Sequence, residues 1–318
     1  MLRAARLSLD GAQGAAFDER DTKGTPAGAA EAAQSAIKAG AGIFVGPLTA
    51  AETDAVVAVA HPLNVPVLAF TSDPSKAMPG VWPFGLTPAQ QVRPLVMALR
   101  ADNKGRLAAL LPRNPFGDAL ADGLVQAAQE GGLTPPQIIR YQPGLAALEA
   151  AVGQLGGSPG APPAFDALLL GTTAETTMAA LPALTRAGFG PDRVRLLGTA
   201  LWARNPGQLA PLAGAWFAAP NQQSLRLFAQ NYMARYGTPP RDLSSIAFDA
   251  AAAAKAATGP GGVAMSTLVN PAGFSGANGV FVLLPNGQVR RSLAIYEIAA
   301  DGPHMRDPAL APRPGPGM

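Results

Sequence analysis

Short apolar segments alternate with helical segments along most of the chain, and this alternation restricts the fold more than any other feature of the sequence. Residues 43–45 and 65–70 are two such apolar segments, and Thr49 with Glu52 forms a capping box that opens the helix between them. Strands without polar alternation are buried on both faces, as they are when helices cover a parallel sheet. The sequence therefore predicts an α/β protein.

The same alternation occurs in two series, which predicts two doubly wound (Rossmann-like) lobes in one chain. The length agrees, because 318 residues is about twice the size of an average domain. We expect residues 1–100 and 221–287 to form lobe 1. Residues 101–220 and 288–300 are expected to form lobe 2. The Pro-rich segment 301–318 has no periodicity and is predicted to be a disordered tail.

The composition excludes several classes of protein. Hydrophobic residues make up 48% of the chain and charged residues 14%, which suits large buried cores and is not typical of disordered chains. No apolar run reaches the roughly 20 residues that a membrane-spanning helix needs. The net charge is +3, and the basic residues are scattered rather than clustered on one face. We therefore expect neither a transmembrane segment nor a nucleic-acid partner.

Residues suited to catalysis or metal binding are scarce. The chain has no cysteine, which excludes disulfides and thiolate sites. Of the two histidines, His61 lies at a predicted helix end and His304 in the tail, so neither a Ser–His–acid triad nor a histidine-rich metal site is indicated. The glycine fingerprints of dinucleotide and P-loop sites are also missing from the sequence. We predict no enzymatic activity, no metal and no cofactor.

Polar residues collect instead at the corners where predicted strands give way to helices. Ligands of open parallel sheets bind beyond the carboxyl ends of the strands, at helix N-termini. Four of the five predicted corners carry hydroxyl groups, which suit a carboxylate or another polar head group. The residues predicted to contact a ligand are Thr49, Thr71, Ser72, Asp73, Phe116, Thr172, Thr173, Thr199 and Trp202. The alternative is that the hydroxyls only cap helices, which by itself explains any single threonine.

Several short motifs occur in an order and spacing that resemble one known family. They are residues 20–22 (Arg-Asp-Thr), 43–47 (Ile-Phe-Val-Gly-Pro), 114–117 (Asn-Pro-Phe-Gly), 236–240 (Tyr-Gly-Thr-Pro-Pro) and 273–279 (Gly-Phe-Ser-Gly-Ala-Asn-Gly). From about residue 3 to residue 298, the chain resembles the leucine/isoleucine/valine-binding family of type I periplasmic binding proteins. Residues 67–74 and 80–82 resemble bacterial penicillin-binding-protein activators, which share that fold.

The resemblance implies two lobes joined by three crossovers, with a ligand held in the cleft between them. Family members that bind α-amino acids use a hydroxyl at the position matching Ala50 for the carboxylate and an acid at the position matching Ala200 for the ammonium. An aromatic ring commonly occupies the position matching Phe116. Two of these three positions are alanines here, and an ammonium is costly to bury without a counter-charge. The resemblance therefore supports the fold more firmly than amino-acid specificity.

Two functions follow from the resemblance, and the sequence leaves both open. The first is a non-enzymatic periplasmic receptor that holds a small polar, amino-acid-like or carboxylate-bearing ligand and feeds an ABC permease. The second is an activator of a peptidoglycan synthase, which acts through protein contacts and does not need the cleft. Hydroxyls at the corners favour the first function, whereas Ala50 and Ala200 favour the second. Both functions place the protein in the periplasm.

The beginning of the chain gives one further expectation. A doubly wound lobe normally begins with a buried strand that leads into the first helix. Met1 already lies within a helical pattern, so the first strand of lobe 1 is missing from the sequence. We expect the natural protein to carry that strand, and a secretion signal before it, upstream of Met1.

Overall fold

The computed structural model describes residues 1–10, 16–158, 160–204 and 206–307. Within these residues the α-helices are α1 (Leu2–Leu9), α2 (Pro26–Lys38), α3 (Ala50–Ala60), α4 (Pro88–Ala101), α5 (Pro115–Glu130), α6 (Leu145–Gly153), α7 (Ala174–Arg186), α8 (Gln222–Tyr236), α9 (Ser244–Ala257) and α10 (Met265–Leu268). The strands are β1 (Phe44–Val45), β2 (Val67–Ala69), β3 (Val81–Pro83), β4 (Leu107–Pro112), β5 (Gln137–Tyr141), β6 (Ala167–Leu170), β7 (Arg195–Gly198), β8 (Trp216–Ala219), β9 (Thr258–Gly259), β10 (Gly262–Val263), β11 (Phe274–Gly276), β12 (Gly279–Leu283), β13 (Val289–Arg291), β14 (Ala294–Ala299) and β15 (Gly302–Asp307). None of these helices is both long enough and apolar enough to cross a membrane.

The described chain forms two compact units and passes between them three times. Unit 1 comprises residues 1–87 and 220–292. Unit 2 comprises residues 88–219 and 293–307. Three passages are also what the family resemblance implies, although their positions differ from the lobe boundaries expected from the sequence.

Helix α4 is the largest departure from the expected boundaries. The sequence pattern assigns residues 88–101 to lobe 1, whereas α4 belongs to unit 2. It packs there on α5, and Gly123 of α5 comes so close that an added Cβ would lie 2.8 Å from Ala89 Cα. Residues 288–292 stay in unit 1 rather than joining lobe 2, since β13 pairs with β12. Both boundaries are set by packing partners, which the periodicity of a segment does not reveal.

The first part of the segment predicted to be a disordered tail is a strand instead. Residues 302–307 form β15, which pairs antiparallel with β14. Arg306 anchors this strand, because its Nη2 lies 2.9 and 2.8 Å from the two carboxylate oxygens of Asp102 and its guanidinium lies 3.9 Å from the centre of the Trp216 ring. Distant partners of this kind leave no periodic signal in a Pro-rich segment. Residues 308–318 of the predicted tail lie outside the described residues.

Unit 1 is built around a parallel sheet of order β1-β2-β3. The pleat of β2 divides its core, because Val67 and Ala69 pack with α2 and α3 while Leu68 packs with α9. On the α9 side an antiparallel sheet of order β11-β12-β13 completes the core, and Trp82 Nε1 donates to Leu284 O at 2.9 Å. Both faces of the parallel sheet are covered, which accounts for its uniformly apolar strands.

Unit 2 contains a seven-stranded sheet of order β15-β14-β8-β7-β6-β4-β5. Strands β4 to β8 run parallel, and β14 and β15 add antiparallel strands on one side, so the sheet is mixed. Its core includes Leu110, Leu168, Leu196 and Phe217. Neighbouring parallel strands end at the same side of a sheet, and the ends of β4 to β8 form what we call the carboxyl edge of unit 2. The prediction of an α/β fold is confirmed.

Candidate functional site

The corner after β1 is closed by the chain's own hydrogen bonds. Thr49 caps α3 by accepting from Glu52 N at 3.2 Å, and the Glu52 carboxylate accepts from Thr49 N at 3.1 Å and from Thr49 Oγ1 at 2.7 Å. Thr22 Oγ1 donates to the same buried carboxylate at 2.6 Å. Burial raises the pKa of Glu52, but the bonds from Thr22 and Thr49 outweigh burial and hold the pKa below its usual range. The Thr49 hydroxyl is thus engaged in capping.

The corner after β2 leaves two groups accessible. Thr71 is buried, and its Oγ1 accepts from Asp73 N at 3.1 Å. Asp73 Oδ1 accepts from Ser75 N at 2.9 Å, while its second carboxylate oxygen forms no hydrogen bond with the described residues. The exposed Ser72 hydroxyl is likewise without a partner among them. The lack of a side chain at Gly85 lets the two backbone segments approach closely here, since a Cβ on it would lie 2.6 Å from Ser72 N.

The corner after β4 lies on the carboxyl edge of unit 2 and carries an aromatic ring and a cation. Asn114 caps α5 by accepting from Gly117 N at 2.9 Å, and Phe116 in the first turn is half-buried. Arg113 is exposed, and its side chain forms no hydrogen bond or ion pair within the described part of the chain. Arg113 is not among the residues predicted from the sequence, although a lone arginine directly after an apolar strand is a signal that could have identified it.

Strands β5 and β6 bring Tyr141 and Thr172 together on the same edge. Tyr141 ends β5 and is buried, and its phenol group interacts with the Thr172 side chain. Burial raises the pKa of Tyr141, and the interaction with Thr172 opposes this only in part. Thr173 caps α7 by accepting from Thr176 N at 3.3 Å, and both Thr172 and Thr173 are half-buried. Tyr141 was also missed from the sequence, because its closeness to Thr172 depends on the order of the strands.

The corner after β7 is also closed by hydrogen bonds within the chain. Thr199 is fully buried, and its Oγ1 accepts from Leu201 N at 3.4 Å. Ala200 N donates to Gln91 Oε1 of α4 at 2.9 Å. The backbone N–H that a ligand would find at this corner is therefore occupied by a side chain from a helix 109 residues away in sequence.

Trp202 fills the core of unit 2 instead of lining an accessible surface. Its side chain is 0% exposed, and its indole ring packs directly against Gly198, where no Cβ would fit. Its Nε1 donates to Thr172 O at 3.0 Å. An indole that is buried against a glycine and hydrogen-bonded at its only donor is a structural residue, so the expectation that Trp202 walls the apolar part of a ligand does not fit this geometry.

The structure thus divides the predicted contact residues between the two units. Unit 1 carries, at the ends of β1 and β2, Thr49, Thr71, Ser72 and Asp73, and unit 2 carries, along its carboxyl edge, Phe116, Thr172, Thr173, Thr199 and Trp202. The groups that remain at least partly accessible are Thr49, Ser72 and Asp73 in unit 1, and Phe116, Thr172, Thr173 and the newly identified Arg113 in unit 2, although the hydroxyls of Thr49 and Thr173 are engaged in capping. Unit 1 thus offers hydroxyls and one carboxylate, and unit 2 offers hydroxyls, one guanidinium and one aromatic face.

A metal site finds no support in the described ranges. Within them no group of three His, Asp or Glu side chains is placed so that it could hold an ion. His304 Nε2 lies 2.7 Å from Asp301 Oδ1 at the surface, and His61 follows the end of α3.

Several solved structures share the fold. A Rhodospirillum rubrum protein assigned to branched-chain amino acid ABC transport matches with a TM-score of 0.76 at 18% identity, over 96% of this chain and 93% of the other. A solute-binding protein of an R. palustris ABC transporter, solved with benzoate, gives 0.62 at 16% identity over 98% and 92%. LpoA from Haemophilus influenzae gives 0.70 at 16% identity, over 96% of this chain but 55% of LpoA. At these identities the likeness shows the fold alone.

A search of curated proteins found no match. The sequence profile of one family, described as periplasmic binding protein, matches residues 10–303. That range includes both units and nearly the whole described chain. The match confirms the resemblance carried by the sequence motifs, and this chain belongs to the periplasmic binding protein family.

Proposed function

We propose that this chain is a non-enzymatic periplasmic receptor that holds a small carboxylate-bearing molecule between its two lobes and presents it to an ABC permease. Membership of the periplasmic binding protein family supports the proposal. The observation that carries it is Arg113, an exposed cation without a partner in the described chain, on the same edge of unit 2 as Phe116. Closure of the lobes around the ligand would couple binding to a change of shape that a permease recognises.

Arg113 and Phe116 offer complementary contacts to an organic acid. A guanidinium binds a carboxylate through two parallel N–H···O bonds, which give direction as well as attraction. The ring of Phe116 offers an apolar face for the body of the ligand. The exposed hydroxyl of Ser72, which has no partner among the described residues, adds a polar contact from unit 1. The proposed ligand has a negative group and an apolar part but no ammonium group, because Ala200 supplies no acid.

Benzoate is a useful reference for this ligand class. The R. palustris protein of the same fold was solved with benzoate, which has a carboxylate and an aromatic ring and lacks an ammonium group. Free leucine carries the ammonium group in addition. The side chains at the corners of this chain favour a ligand of the benzoate kind, and a comparison of the two compounds therefore tests the proposed class directly.

A second candidate function is the activation of a peptidoglycan synthase through protein contacts. The observation that favours it is the closure of two corners, since Glu52 engages the Thr49 hydroxyl and Gln91 engages Ala200 N. A cleft that no longer serves a ligand has no need of free groups at these positions. An activator of this kind would act from the periplasm without an ABC permease.

Thermal unfolding in the presence of candidate ligands tests the first function. A ligand that binds only the folded chain adds about 2.7 kcal/mol of stability at 100 times its Kd, and the melting temperature rises accordingly. Benzoate and aliphatic monocarboxylates should raise the melting temperature. Arg113→Gln should abolish this rise and leave the unliganded melting temperature unchanged, because Arg113 is exposed. Arg100→Gln, a matched change at an exposed arginine of α4, should keep the rise.

The same experiment separates the two candidates. If no carboxylate stabilises the unsubstituted chain, the receptor proposal fails for this ligand class. The rate of glycan polymerisation by a purified peptidoglycan synthase, measured with and without the chain, then tests the second function. If carboxylates bind but Arg113→Gln binds them equally well, a receptor function survives and the role proposed for Arg113 is rejected.

A further inference from the structure

Unit 1 contains an ion pair in which both side chains are buried away from solvent. The side chains of Asp249 on α9 and Arg291 on β13 are both 0% exposed, and Arg291 Nη1 lies 2.8 Å from Asp249 Oδ2. Burying two charges costs desolvation energy, so such a pair often stabilises a fold no better than apolar residues of similar volume. A contribution to the stability of the fold is therefore a weak explanation for the presence of this ion pair. The position of the two residues in the chain suggests a different role.

Asp249 holds the loop between β11 and β12. Its Oδ1 accepts from Ala277 N at 2.6 Å, and its Oδ2 accepts from Asn278 N at 3.2 Å and Asn278 Nδ2 at 2.9 Å. No Cβ would fit at Gly276, because the Asp249 carboxylate occupies that space. Helix α9 and this loop are thereby fixed around the carboxylate that receives Arg291.

Arg291 extends the contact to another segment that leaves unit 1. Its Nη2 donates to Phe84 O at 3.3 Å, and its guanidinium lies 5.0 Å from the centre of the Phe281 ring. The rings of Phe84 and Phe281 meet edge to face with their centres 5.2 Å apart. The chain leaves unit 1 for the first time after Thr87 and for the last time after Ser292. Arg291 therefore joins the two segments that lead into these passages.

The last passage itself is short. Ser292 N donates to Val280 O in unit 1 at 2.8 Å. Ala294 already pairs with Ala219 in the sheet of unit 2. Only Leu293 lies between these two anchored residues, so the backbone has little freedom there beyond the rotations of one residue.

We infer that Arg291 is a hinge clamp, which holds the first and last passages to each other and to α9 and thereby limits the range of movement between the two units. The clamp lies entirely within unit 1 and contains none of the proposed ligand contacts. The inference goes beyond the proposed function and does not depend on the identity of a ligand. Where the arrangements that the clamp leaves include the binding-competent one, the restriction raises the fraction of molecules in that arrangement and therefore the apparent affinity.

Distance distributions between pairs of spin labels test the clamp, and the chain has no cysteine of its own to interfere. Labels at Gln34→Cys in unit 1 and Gln129→Cys in unit 2 report on movement between the units. Labels at Gln34→Cys and Asn231→Cys report on unit 1 alone. All three positions are exposed.

Arg291→Lys is the informative substitution. It keeps a positive charge beside Asp249 but replaces a fork of nitrogens with a single one, which cannot hold Asp249 and Phe84 O in the same geometry. We expect the distance distribution between the units to broaden and the distribution within unit 1 to stay as it is. Broadening within unit 1 to the same extent would overturn the inference, because Arg291 would then hold the unit together rather than the hinge.

Two further variants control for stability. Leu268→Ala removes a fully buried side chain of unit 1 and should not broaden the distribution between the units. The double variant Asp249→Asn with Arg291→Met removes the clamp without leaving an unpaired buried charge, and it should broaden that distribution even if Arg291→Lys does not fold. The clamp is rejected if the distribution stays as narrow as in the parent chain, if Leu268→Ala broadens it equally, or if neither clamp variant folds.

Discussion

The corners after β1 and β4 begin their helices in similar ways but leave different groups for a ligand. After β1, the capping Thr49 is joined by Glu52 and Thr22 in a closed set of hydrogen bonds. After β4, Asn114 caps its helix alone and Arg113 is left without a partner in the described chain. A polar residue at the start of a helix serves the helix first. We therefore expect this chain to recognise a ligand through polar side chains that are not used to cap helices.

Trp202→Ala should give the largest loss of stability, because it removes an indole from the core beneath a closed corner. Substitutions of this kind cost about 3–5 kcal/mol. The loss should appear in urea denaturation with and without ligand, since Trp202 is 0% exposed. A loss below about 1 kcal/mol would be far too small for a core tryptophan and would return Trp202 to the set of ligand contacts.

Glu52→Ala should have the next largest effect, because it removes the acceptor shared by Thr22 and Thr49. Loss of the capping box and of a buried acceptor together is expected to cost about 2–3 kcal/mol in the free energy of unfolding. Glu31→Ala, at an exposed glutamate paired with Lys23 on the surface, is the matched control and should cost at most about 1 kcal/mol. Equal losses in the two variants would mean that the corner after β1 is not closed as described.

The contribution of Glu52 should also depend on pH. Its pKa in the folded chain lies below its usual value, so the charged carboxylate contributes stability that is fully present above the pKa of the unfolded chain. This contribution is lost as the pH falls through the folded-state pKa. The difference in unfolding free energy between the parent chain and Glu52→Gln should therefore shrink on acidification. A difference that stays constant from neutral to strongly acidic pH would contradict the assignment.

Phe116→Ala should separate ligand binding from stability at the open corner. The ring is half-buried, so the variant should lose much less stability than Trp202→Ala while losing most of the stabilisation by a carboxylate ligand. Thr173→Ala is a useful comparison because Thr173 caps α7, and removing the cap should cost about 1 kcal/mol even without ligand. If Phe116→Ala keeps the full rise in melting temperature with ligand, the open corner is not where the ligand binds.

The sequence predicts the fold of this chain well, because the fold depends on local signals. Apolar strands and capped helices set the α/β class, and the motif order identifies the family. The candidate site is predicted less well, since threonine serves equally as a cap and as a ligand contact. Gln91 closes the corner at Ala200 from 109 residues away, and Arg306 reaches Asp102 across 204 residues. Contacts between such distant residues leave no pattern in the sequence.

Free leucine should bind poorly or not at all, and this is the smallest effect that the contrast between open and closed corners predicts. The ammonium group of an amino acid needs a carboxylate partner when it is removed from water. Ala200 has no acid, and its N–H is already bonded to Gln91 Oε1 at 2.9 Å. Calorimetric titration with leucine should therefore show no heat of binding at concentrations at which a carboxylate ligand saturates the chain.

A micromolar affinity for leucine would mean that another acid supplies the counter-charge. Asp73 is the candidate, because one of its carboxylate oxygens forms no hydrogen bond within the described residues and it lies at an accessible corner of unit 1. Asp73→Asn should then abolish binding, whereas Asp122→Asn, at an exposed aspartate of α5, should not. That outcome would shift the main recognition of the ligand from the carboxyl edge of unit 2 to the end of β2 in unit 1. Asp73 would then bind the ammonium group, for which Ala200 of unit 2 offers no acid.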